Sequence, residues 1–537
     1  MKVRLKSNRW TTWRTAGNRI SFAATCFMLL VALTGCATLA EPEEPSGLNN
    51  GQITVFLNGP ENARMDITFN LSAVKIMADD GTSREIRSAP LRINSIRSKG
   101  RQMLLGERPL PEGGYRELIL VVSRASIKRK EAVADLAVDG GVIRIPLDIT
   151  VNHNRNTSLF LSWNSDASIV DEYRFSPLIS VRGQAPELSS LLVYVTNEDS
   201  NNVSVINRQT GTVVATIMVG RKPRGIATSS GKDLMKVYVA NSGSDSISVI
   251  DPTTNTIENE IPVRFGREPV GIAVGRVAEG NELIFVSNYR SNNVSVIDAS
   301  TFQEIEKIEV GNGPVAVAVD PPVESLTGTR FLSHDDISLL RTYREKYLNV
   351  YVVNKNSKSL SLLKMDLFSG RCEEVISLDV EWDPVALSVD YQRGKVYVAN
   401  HGFNNISVID IPEIVKGNYP GSVSSISNVG NYGTGVVADP AFDRIYFLRE
   451  SPGEIVVIRP FFGNFDSLRT ALPSIIGTIP VGNSPGALIL DPEARKIYVA
   501  NSGSNNISVI DKTTRKVERV IPVGRHPYGI AMFPYQP

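Results

Sequence analysis

The sequence predicts an all-β protein in which a β-sandwich precedes a seven-bladed β-propeller. Three observations lead to this fold class. A short hairpin sequence recurs through the second part of the chain, segments typical of strands fill residues 51–183, and the chain ends on an unpaired copy of the repeat's first segment. A chain of 537 residues is also too long for one ordinary hydrophobic core, so more than one structural unit is expected.

Residues 1–35 have the form of a targeting segment. Six basic residues and no acidic one are followed by an apolar run over 20–33, which is short for a membrane span but suits a secretory signal. Leu33-Thr34-Gly35-Cys36 then resembles the bacterial lipobox, which implies cleavage before Cys36, lipidation of Cys36 and attachment to a membrane. The alternative is an ordinary signal peptide or a short anchor. By resemblance to enteric lipoproteins, Ala37 favours the outer membrane, so we expect a lipid-anchored protein of the cell envelope.

The charge balance argues against nucleic acid as a partner. The whole chain carries a formal net charge of +1, and loss of the six basic residues of 1–35 leaves −5. General nucleic-acid binding needs a basic footprint, which such a chain lacks. Of the three cysteines, Cys26 lies in the signal and Cys36 is the lipid site, so no intramolecular disulfide is expected. Cys372 is interpreted as a small hairpin residue and not as a nucleophile.

The part of the chain before the repeats divides into a tether and a domain. Residues 36–50 are rich in Pro, Gly, Asn and acidic residues, as a tether would be. Residues 51–183 contain about seven segments with strand-like alternation, which predicts a β-sandwich that serves as a spacer. The segment MLLGERPLPEGGYRELILVVS within it resembles uncharacterised sandwich domains of bacterial surface lipoproteins. The basic stretch at 123–132 is interpreted as a solvated hairpin.

The repeat is defined by an aromatic residue and by a Gly/Pro marker. The aromatic positions are Tyr194, Tyr238, Phe285, Tyr351, Tyr397, Tyr446 and Tyr498, mostly 44 to 52 residues apart with one interval of 66. The marker has the form G-x-x-P, as in GRKP at 220–223, GREP at 266–269 and GRHP at 524–527. EWDP at 381–384 and GNYG at 430–433 are degenerate copies. A period of this length with four short strands is typical of a propeller blade.

A solenoid of stacked hairpins is the alternative to a ring. The strands are apolar on both faces, which suits a sheet that is covered on both sides. The first copy lacks its opening strand, and YGIAMF at 528–533 could supply it, so that the two chain ends pair and no sheet edge stays open. A ring over residues 189–537 is therefore predicted, with Ile530 near Val193.

Turn chemistry supports the hairpins and leads to a family resemblance. Asn pairs begin at Asn201, Asn292, Asn404 and Asn505, in the turns between the second and third strands, where residues that tolerate a left-handed backbone are expected. Aspartates such as Asp298 start the following turn. Tyr194-Val195-Thr196-Asn197 resembles the motif of the YVTN β-propeller repeat family. The resemblance covers about 189–537 and implies a seven-bladed propeller of the kind seen in microbial surface-layer proteins.

No residue set in the sequence indicates catalysis or a cofactor. The four histidines lack metal-ligand spacing, and no haem-attachment motif is present. The markers of three blades that are adjacent in a ring form a predicted basic arc at the mouth of the propeller. Its members are Arg221, Lys222, Arg224, Arg267, Arg525 and His526. The arc could bind a carboxylate or a uronic sugar, or its charges could simply be solvated.

The predicted function is non-catalytic binding or scaffolding of a protein or an anionic glycan. The alternative is a propeller enzyme, either a lactonase-like hydrolase or a periplasmic oxidoreductase, with its site at the central opening. A second feature lies on the opposite side of the propeller. SHDDISLLRTYREKY within 321–347 predicts a capped helix that carries Ile337, Leu340, Tyr343 and Tyr347 on one side. FFGNF at 461–465 lies in a loop on the same face of the propeller as this insertion. The helix is interpreted as packing on its own blade, and a docking surface for a partner is the alternative.

Overall fold

Strands make up nearly all of the regular structure, which confirms the all-β prediction: the computed structural model has 60% strand and 6% helix. It describes residues 50–185, 188–229, 235–277, 280–460, 473–491 and 493–533. The predicted signal, the lipid site at Cys36 and FFGNF at 461–465 lie outside these ranges. The described residues belong to one compact unit, and none of their helices is both long and apolar enough to cross a membrane.

The described residues before the repeats form twelve strands, more than the seven that the sequence suggested, because several are short hairpin partners. They are β1 Asn50–Asn58, β2 Asp66–Ala78, β3 Ser83–Arg87, β4 Leu91–Asn94, β5 Gln102–Pro111, β6 Gly113–Arg129, β7 Ala132–Leu136, β8 Val142–Val151, β9 Asn156–Asn164, β10 Ile169–Val170, β11 Arg174–Phe175 and β12 Leu178–Arg182.

Two main sheets are built from these strands. One has the order β12-β9-β1-β5, and the other joins β3, β2, β6 and β7 with β4 and β8 at its sides. Side chains of both sheets, such as Val55 and Leu120, share one hydrophobic core. Strand β1 is buried along most of its length because its alternate residues face two different cores. Val55 points to the shared core, and Phe56 packs with residues of the repeats.

Seven four-stranded antiparallel sheets follow in the described part of the chain. They are numbered here by their order, beginning with the sheet that contains both chain ends of the repeat region. The first sheet contains β13 Leu192–Asn197, β14 Asn202–Asn207, β15 Thr212–Met218 and β40 Pro527–Met532. The second contains β16 Pro223–Thr228, β17 Val237–Asn241, β18 Ser246–Asp251 and β19 Thr256–Pro262. The third contains β20 Pro269–Arg276, β21 Glu282–Asn288, β22 Asn293–Asp298 and β23 Gln303–Glu309.

The remaining four sheets repeat the pattern. The fourth contains β24 Pro314–Val319, β25 Tyr347–Asn354, β26 Ser359–Asp366 and β27 Cys372–Asp379. The fifth contains β28 Pro384–Asp390, β29 Lys395–Asn400, β30 Asn405–Asp410 and β31 Val423–Ser427. The sixth contains β32 Gly433–Asp439, β33 Arg444–Arg449, β34 Glu454–Arg459 and β35 Ser474–Pro480. The seventh contains β36 Pro485–Asp491, β37 Lys496–Asn501, β38 Asn506–Asp511 and β39 Lys516–Pro522.

The inner strands of the sheets form a closed circle. Each of β16, β20, β24, β28, β32 and β36 contacts the inner strand of the next sheet, and β40 contacts both β36 and β16. The last strand pairs antiparallel with β13, with Ile530 opposite Val195 and Met532 opposite Val193, as the sequence predicts. Four-stranded antiparallel sheets around a ring are the architecture of a β-propeller, which confirms the propeller fold.

A buried asparagine clamps most of the hairpins between second and third strands. In β29, Asn400 Nδ2 donates to Asn405 Oδ1 and to Ser407 Oγ, both at 2.9 Å. Asn197, Asn288 and Asn501 make the same pair of contacts, and Asn241 and Asn354 make the equivalent pair with a serine hydroxyl in place of the asparagine oxygen. The asparagine of the YVTN motif is therefore a structural residue. In the sixth sheet, Arg449 takes this place and pairs with Glu454 at 2.7 Å.

The turn residues behave largely as predicted. Asn201, Asn292 and Asn505 have φ between 52° and 56°, in the left-handed region. Asn404 is not among the residues with positive φ, so that part of the prediction is wrong. Its side-chain oxygen instead accepts a hydrogen bond from the backbone N–H of Gly430.

The long insertion forms a helix as predicted. α1 spans His334–Arg344, and the Ser333 hydroxyl caps it by accepting from the Asp336 N–H at 3.1 Å. Leu340 is fully buried, in a core shared with the short helix α2 Ile411–Val415. The prediction is wrong for Tyr347, which starts strand β25 and not a further helical turn.

Candidate binding face of the propeller

The predicted arc lies on one face of the ring, which we name the upper face. It consists of the loops that precede each inner strand and the turns that join second to third strands. Each loop binds the turn of the preceding sheet and the turn of its own sheet: Lys222 N donates to Asn201 Oδ1 of the first sheet at 2.8 Å, and Arg221 N donates to Ser244 Oγ of the second sheet at 3.1 Å. Arg525 N donates to Ser200 Oγ at 2.7 Å in the same way. The marker loops are thus fixed by the turns on both sides.

The marker residue before each proline has an unusual backbone conformation. Lys222, Glu268, Asp383, Ser484 and His526 all have positive φ, between 45° and 57°. Left-handed backbone is disfavoured for residues with a Cβ and persists where surrounding contacts hold it. For Lys222, Glu268 and His526, a hydrogen bond from the backbone N–H to the preceding sheet supplies such a contact. His526 N, for example, donates to Asn505 Oδ1 at 2.9 Å. The side chain of the residue before the proline therefore occupies the equivalent position in each of these sheets.

Arg224 does not contribute a free charge to the arc. Its guanidinium pairs with Glu198 at 3.0 Å and with Glu268 at 3.3 Å, and it lies over the Tyr528 ring at 5.6 Å. Burial alone would lower the pKa of Arg224, but the two carboxylates outweigh burial and raise it. Glu268 also pairs with Arg290 at 2.7 Å. These contacts join the first three sheets. Arg224 therefore links neighbouring sheets, and its charge is already paired and not free to bind an anion.

Arg525 and His526 lie against other parts of the protein. Arg525 Nε is 3.5 Å from Glu107 Oε1 in β5, and its Nη2 donates to the Asp199 carbonyl at 3.0 Å. His526 Nδ1 is 3.5 Å from Asp199 Oδ2. The arc therefore ends at the junction with the first domain.

The remaining three cations of the arc are open to solvent. Arg221, Lys222 and Arg267 are exposed, and no carboxylate of the described residues lies within ion-pairing distance of their side chains. These three are the members of the predicted set that could meet an anion without first breaking an existing pair.

An aromatic cluster on the fifth and sixth sheets was missed by the sequence reasoning. Trp382, Phe403 and Tyr432 lie in upper-face loops and are 58%, 46% and 50% exposed. Gly402 N donates to the Trp382 carbonyl at 3.2 Å, and Tyr432 N donates to the His401 carbonyl at 3.1 Å, so the loops are tied together. These residues lie in the degenerate markers EWDP and GNYG and in the turn HGFNN. The only feature of the sequence that could have indicated this cluster is that these segments differ from the other copies of the repeat.

His401 connects the aromatic cluster to two carboxylates. Its Nδ1 is 3.2 Å from Asp383 Oδ2, its Nε2 is 3.3 Å from Glu450 Oε2, and its ring lies 5.6 Å from that of Tyr432. Lys358 lies over the Trp382 ring at 2.9 Å from its centre. Trp382 and Tyr432 therefore each contact a basic side chain, Lys358 and His401 respectively.

The described residues include no group of three or more metal-type ligands. Cys372, at the start of β27, is partly buried. Burial raises the pKa of its thiol to about 11, with a contribution from Glu306, so that the thiol is protonated at neutral pH. This agrees with the interpretation of Cys372 as a packing residue.

The first domain packs directly onto the propeller. Gln102 in β5 pairs with the backbone of Val213 in β15, accepting from its N–H at 2.8 Å and donating to its carbonyl at 3.0 Å. Phe56 stacks on Phe160 at 5.6 Å, within a core that includes Val213 and Ile521. The outer strand β15 is thereby protected from pairing with another chain. The domain is a packed neighbour of the ring, which the sequence reasoning, in treating it as a spacer, did not foresee.

A scan against models of known families and a search of curated proteins find no match. Solved structures do match. Hydrazine synthase of Kuenenia stuttgartiensis shares 19% identity over 60% of this chain and 93% of its own, with a TM-score of 0.45. A functionally unknown protein of Desulfotomaculum acetoxidans shares 14% sequence identity over 65% of this chain and 100% of its own, with a TM-score of 0.49. A putative 6-phosphogluconolactonase of Bacteroides uniformis shares 15% sequence identity over 64% of this chain and 99% of its own, with a TM-score of 0.46.

Proposed function

We propose that this chain is a lipid-anchored protein of the cell envelope whose upper face binds an anionic glycan without catalysis. In this proposal the seven sheets are the blades of one YVTN-type propeller, and the two sheets before them form a β-sandwich. Cys36 carries the lipid. The observation that supports binding is that one face presents both exposed aromatic rings and unpaired cations.

The chemistry of the face suits an acidic sugar chain. The flat faces of sugar rings are lined with C–H groups, which pack against aromatic rings such as Trp382 and Tyr432. Guanidinium groups such as Arg221 and Arg267 bind carboxylates through charge-assisted hydrogen bonds. The rings and the cations lie in different loops of the same circle, so the proposed ligand contacts several blades at once.

Calorimetric titration with oligogalacturonate and with an uncharged oligosaccharide of equal length tests this proposal. We expect the acidic chain to bind more tightly, and both Trp382→Ala with Tyr432→Ala and Arg221→Gln with Arg267→Gln to weaken its binding at least tenfold. Phe368→Ala and Arg495→Gln are matched controls, because Phe368 and Arg495 are exposed in loops on the opposite side of the sheets. Equal binding by all four variants would contradict the proposal, and a preference for a protein partner would replace the glycan.

The lipid anchor is tested separately. Cys36→Ser should move the protein from the membrane fraction to the soluble fraction, whereas Cys26→Ser should leave it with the membrane. Unchanged fractionation of Cys36→Ser would contradict lipidation at this residue.

An enzyme is the second candidate, and the Arg224 cluster is the observation that favours it. Glu198 and Glu268 lie on either side of Arg224 beside an inner strand, where a carboxylate could act as general base on the water that attacks a bound lactone. If so, the protein should hydrolyse δ-lactones, and Glu268→Gln should abolish the reaction. Hydrolysis no faster than in buffer would exclude this activity.

A further inference from the structure

A basic cleft lies where the first domain meets the seventh sheet, away from the upper face. It has a volume of about 600 Å³ and is lined by β2, β4 and β6, by the loop from Ile96 to Arg101, and by Val520 of β39. A second cavity of about 330 Å³ shares Arg101, Gln102 and Val520 with it. The two volumes are therefore parts of one groove, of a size that suits small ligands.

The charges of this cleft are unbalanced. Arg92, Arg97, Arg101 and Lys128 line it and are exposed, and within the described ranges none of their side chains has an ion-pair or hydrogen-bond partner. Asp66, the acidic residue that lines the larger cavity, accepts a hydrogen bond from Asn94 Nδ2 at 2.6 Å. Glu518, which lines the smaller cavity, is paired with Lys496. Four cations around one concavity raise the local positive potential and attract anions.

The loop that carries Arg97 and Arg101 is held in place. Ser98 N donates to the Asn94 carbonyl and Arg101 N donates to the Ser98 carbonyl, both at 2.9 Å. Gly59 N donates to the Arg101 carbonyl at 2.8 Å, and the adjacent Gln102 is fixed on the propeller backbone. The backbone of the site therefore loses little conformational entropy when a ligand binds.

We propose that this cleft binds a discrete ligand that carries several oxyanions, either phosphates or carboxylates. Its concave shape suits such a ligand better than a flat membrane surface. Ile96, Val133 and Val520, which are 44%, 64% and 52% exposed at its lining, offer apolar contact to the part of the ligand that is not charged. This site uses no residue of the upper face, so it adds a second anion site to the one proposed above.

Titration of the whole protein with inorganic pyrophosphate and with trigalacturonate tests this site. The measurements are made on the Arg221→Gln, Arg267→Gln background, because these exposed cations of the upper face would otherwise bind the anionic probes. We expect saturable binding of at least one probe, weakened at least tenfold by Arg97→Gln with Arg101→Gln and again by Arg92→Gln with Lys128→Gln. Whichever of the two probes binds identifies the phosphate or the carboxylate source.

The matched control is Arg129→Gln, because Arg129 is exposed and adjacent to Lys128 on β6 but does not line the cleft. This variant should keep the affinity within twofold, and thermal melts should confirm that each variant is folded. Equal affinity in the cleft variants and the control would overturn the proposal. So would the absence of saturable binding of both soluble probes. Vesicles that contain phosphatidylglycerol are titrated in parallel, and binding to these vesicles alone would likewise overturn the proposal.

Discussion

A buried ion pair closes the ring and provides the sharpest test of its energetics. Arg208 follows β14 in the first sheet, and its Nη1 lies 3.1 Å from Asp491 Oδ2 at the end of β36 in the seventh sheet. The side chains are 6% and 0% exposed. Arg208 Nη2 also donates to the Ser190 carbonyl at 2.6 Å. Replacement of Arg208 by Met fills much of the space but leaves a buried carboxylate without its counter-charge.

The expected loss of stability depends on the hydrogen bonds that Asp491 keeps after Arg208 is replaced. Loss of one partner of a buried pair costs about 3–5 kcal/mol, because an uncompensated charge remains in a medium of low dielectric constant. Two backbone N–H groups, of Glu493 and Ala494, still donate to Asp491 Oδ1 at 3.2 and 3.1 Å. We therefore expect Arg208→Met to lower the free energy of unfolding by about 3 kcal/mol, at the lower end of that range.

Urea unfolding followed by fluorescence measures this change. Arg124→Ala is the control, because the Arg124–Asp135 pair has a similar distance of 2.8 Å but is 66% exposed on both sides, and it should cost less than about 1 kcal/mol. The double replacement Arg208→Met, Asp491→Leu should cost less than Arg208→Met alone, since no fully buried charge is left without a partner. Glu493, which also lies 3.5 Å from Arg208 Nη2, is 39% exposed and can be solvated. Equal losses for Arg208→Met and Arg124→Ala would refute the reasoning.

Two further predictions concern the hairpins and their turns. Asn400→Ala removes two buried hydrogen bonds, one of them to Ser407 at 2.9 Å, and should lower the free energy of unfolding by about 1–3 kcal/mol in the same urea assay; a loss within error would contradict the clamp. Burial alone would raise the pKa of Asp298, but hydrogen bonds from Ser300 and the following residue outweigh burial and lower it below 3.8. The unfolded state then binds the proton more tightly, so this contribution is complete above about pH 4 and is lost as the pH falls through the lowered pKa. Unfolding midpoints from pH 6 to pH 3 should therefore fall less steeply for Asp298→Asn than for the natural protein, and identical slopes would disprove the assignment.

Local chemistry explains why the sequence predicted so much of the ring. The alternation in each repeat, the residues of its turns and the Ser333 cap act over a few neighbouring positions, where backbone preference decides the structure. The missing first strand and the extra last strand are also visible in the sequence, and β40 does pair with β13. Turn preference failed at Asn404, because contacts of its side chain with the following loop decide the geometry there.

The candidate site could be predicted only in part. The marker spacing correctly placed the basic residues on loops of one face, because a repeat gives each copy the same position. It could not show that Arg224 meets Glu198 and Glu268, which come from neighbouring sheets, or that Arg525 meets Glu107 of the first domain. The marker spacing also could not show that Trp382, Phe403 and Tyr432 are exposed on loops that are tied to one another.

The strands, their turns and the repeat follow from the sequence, because backbone conformation and the alternation of residues along a strand are local properties. The pairing of β13 with β40 could be read from the count of strands, since one end of the repeat lacks the strand that the other end has in excess. Which charges are neutralised, which aromatic rings share a face and how the first domain covers β15 depend on the tertiary structure. Those outcomes depend on distances between residues far apart in the chain, which are fixed only once the sheets have packed.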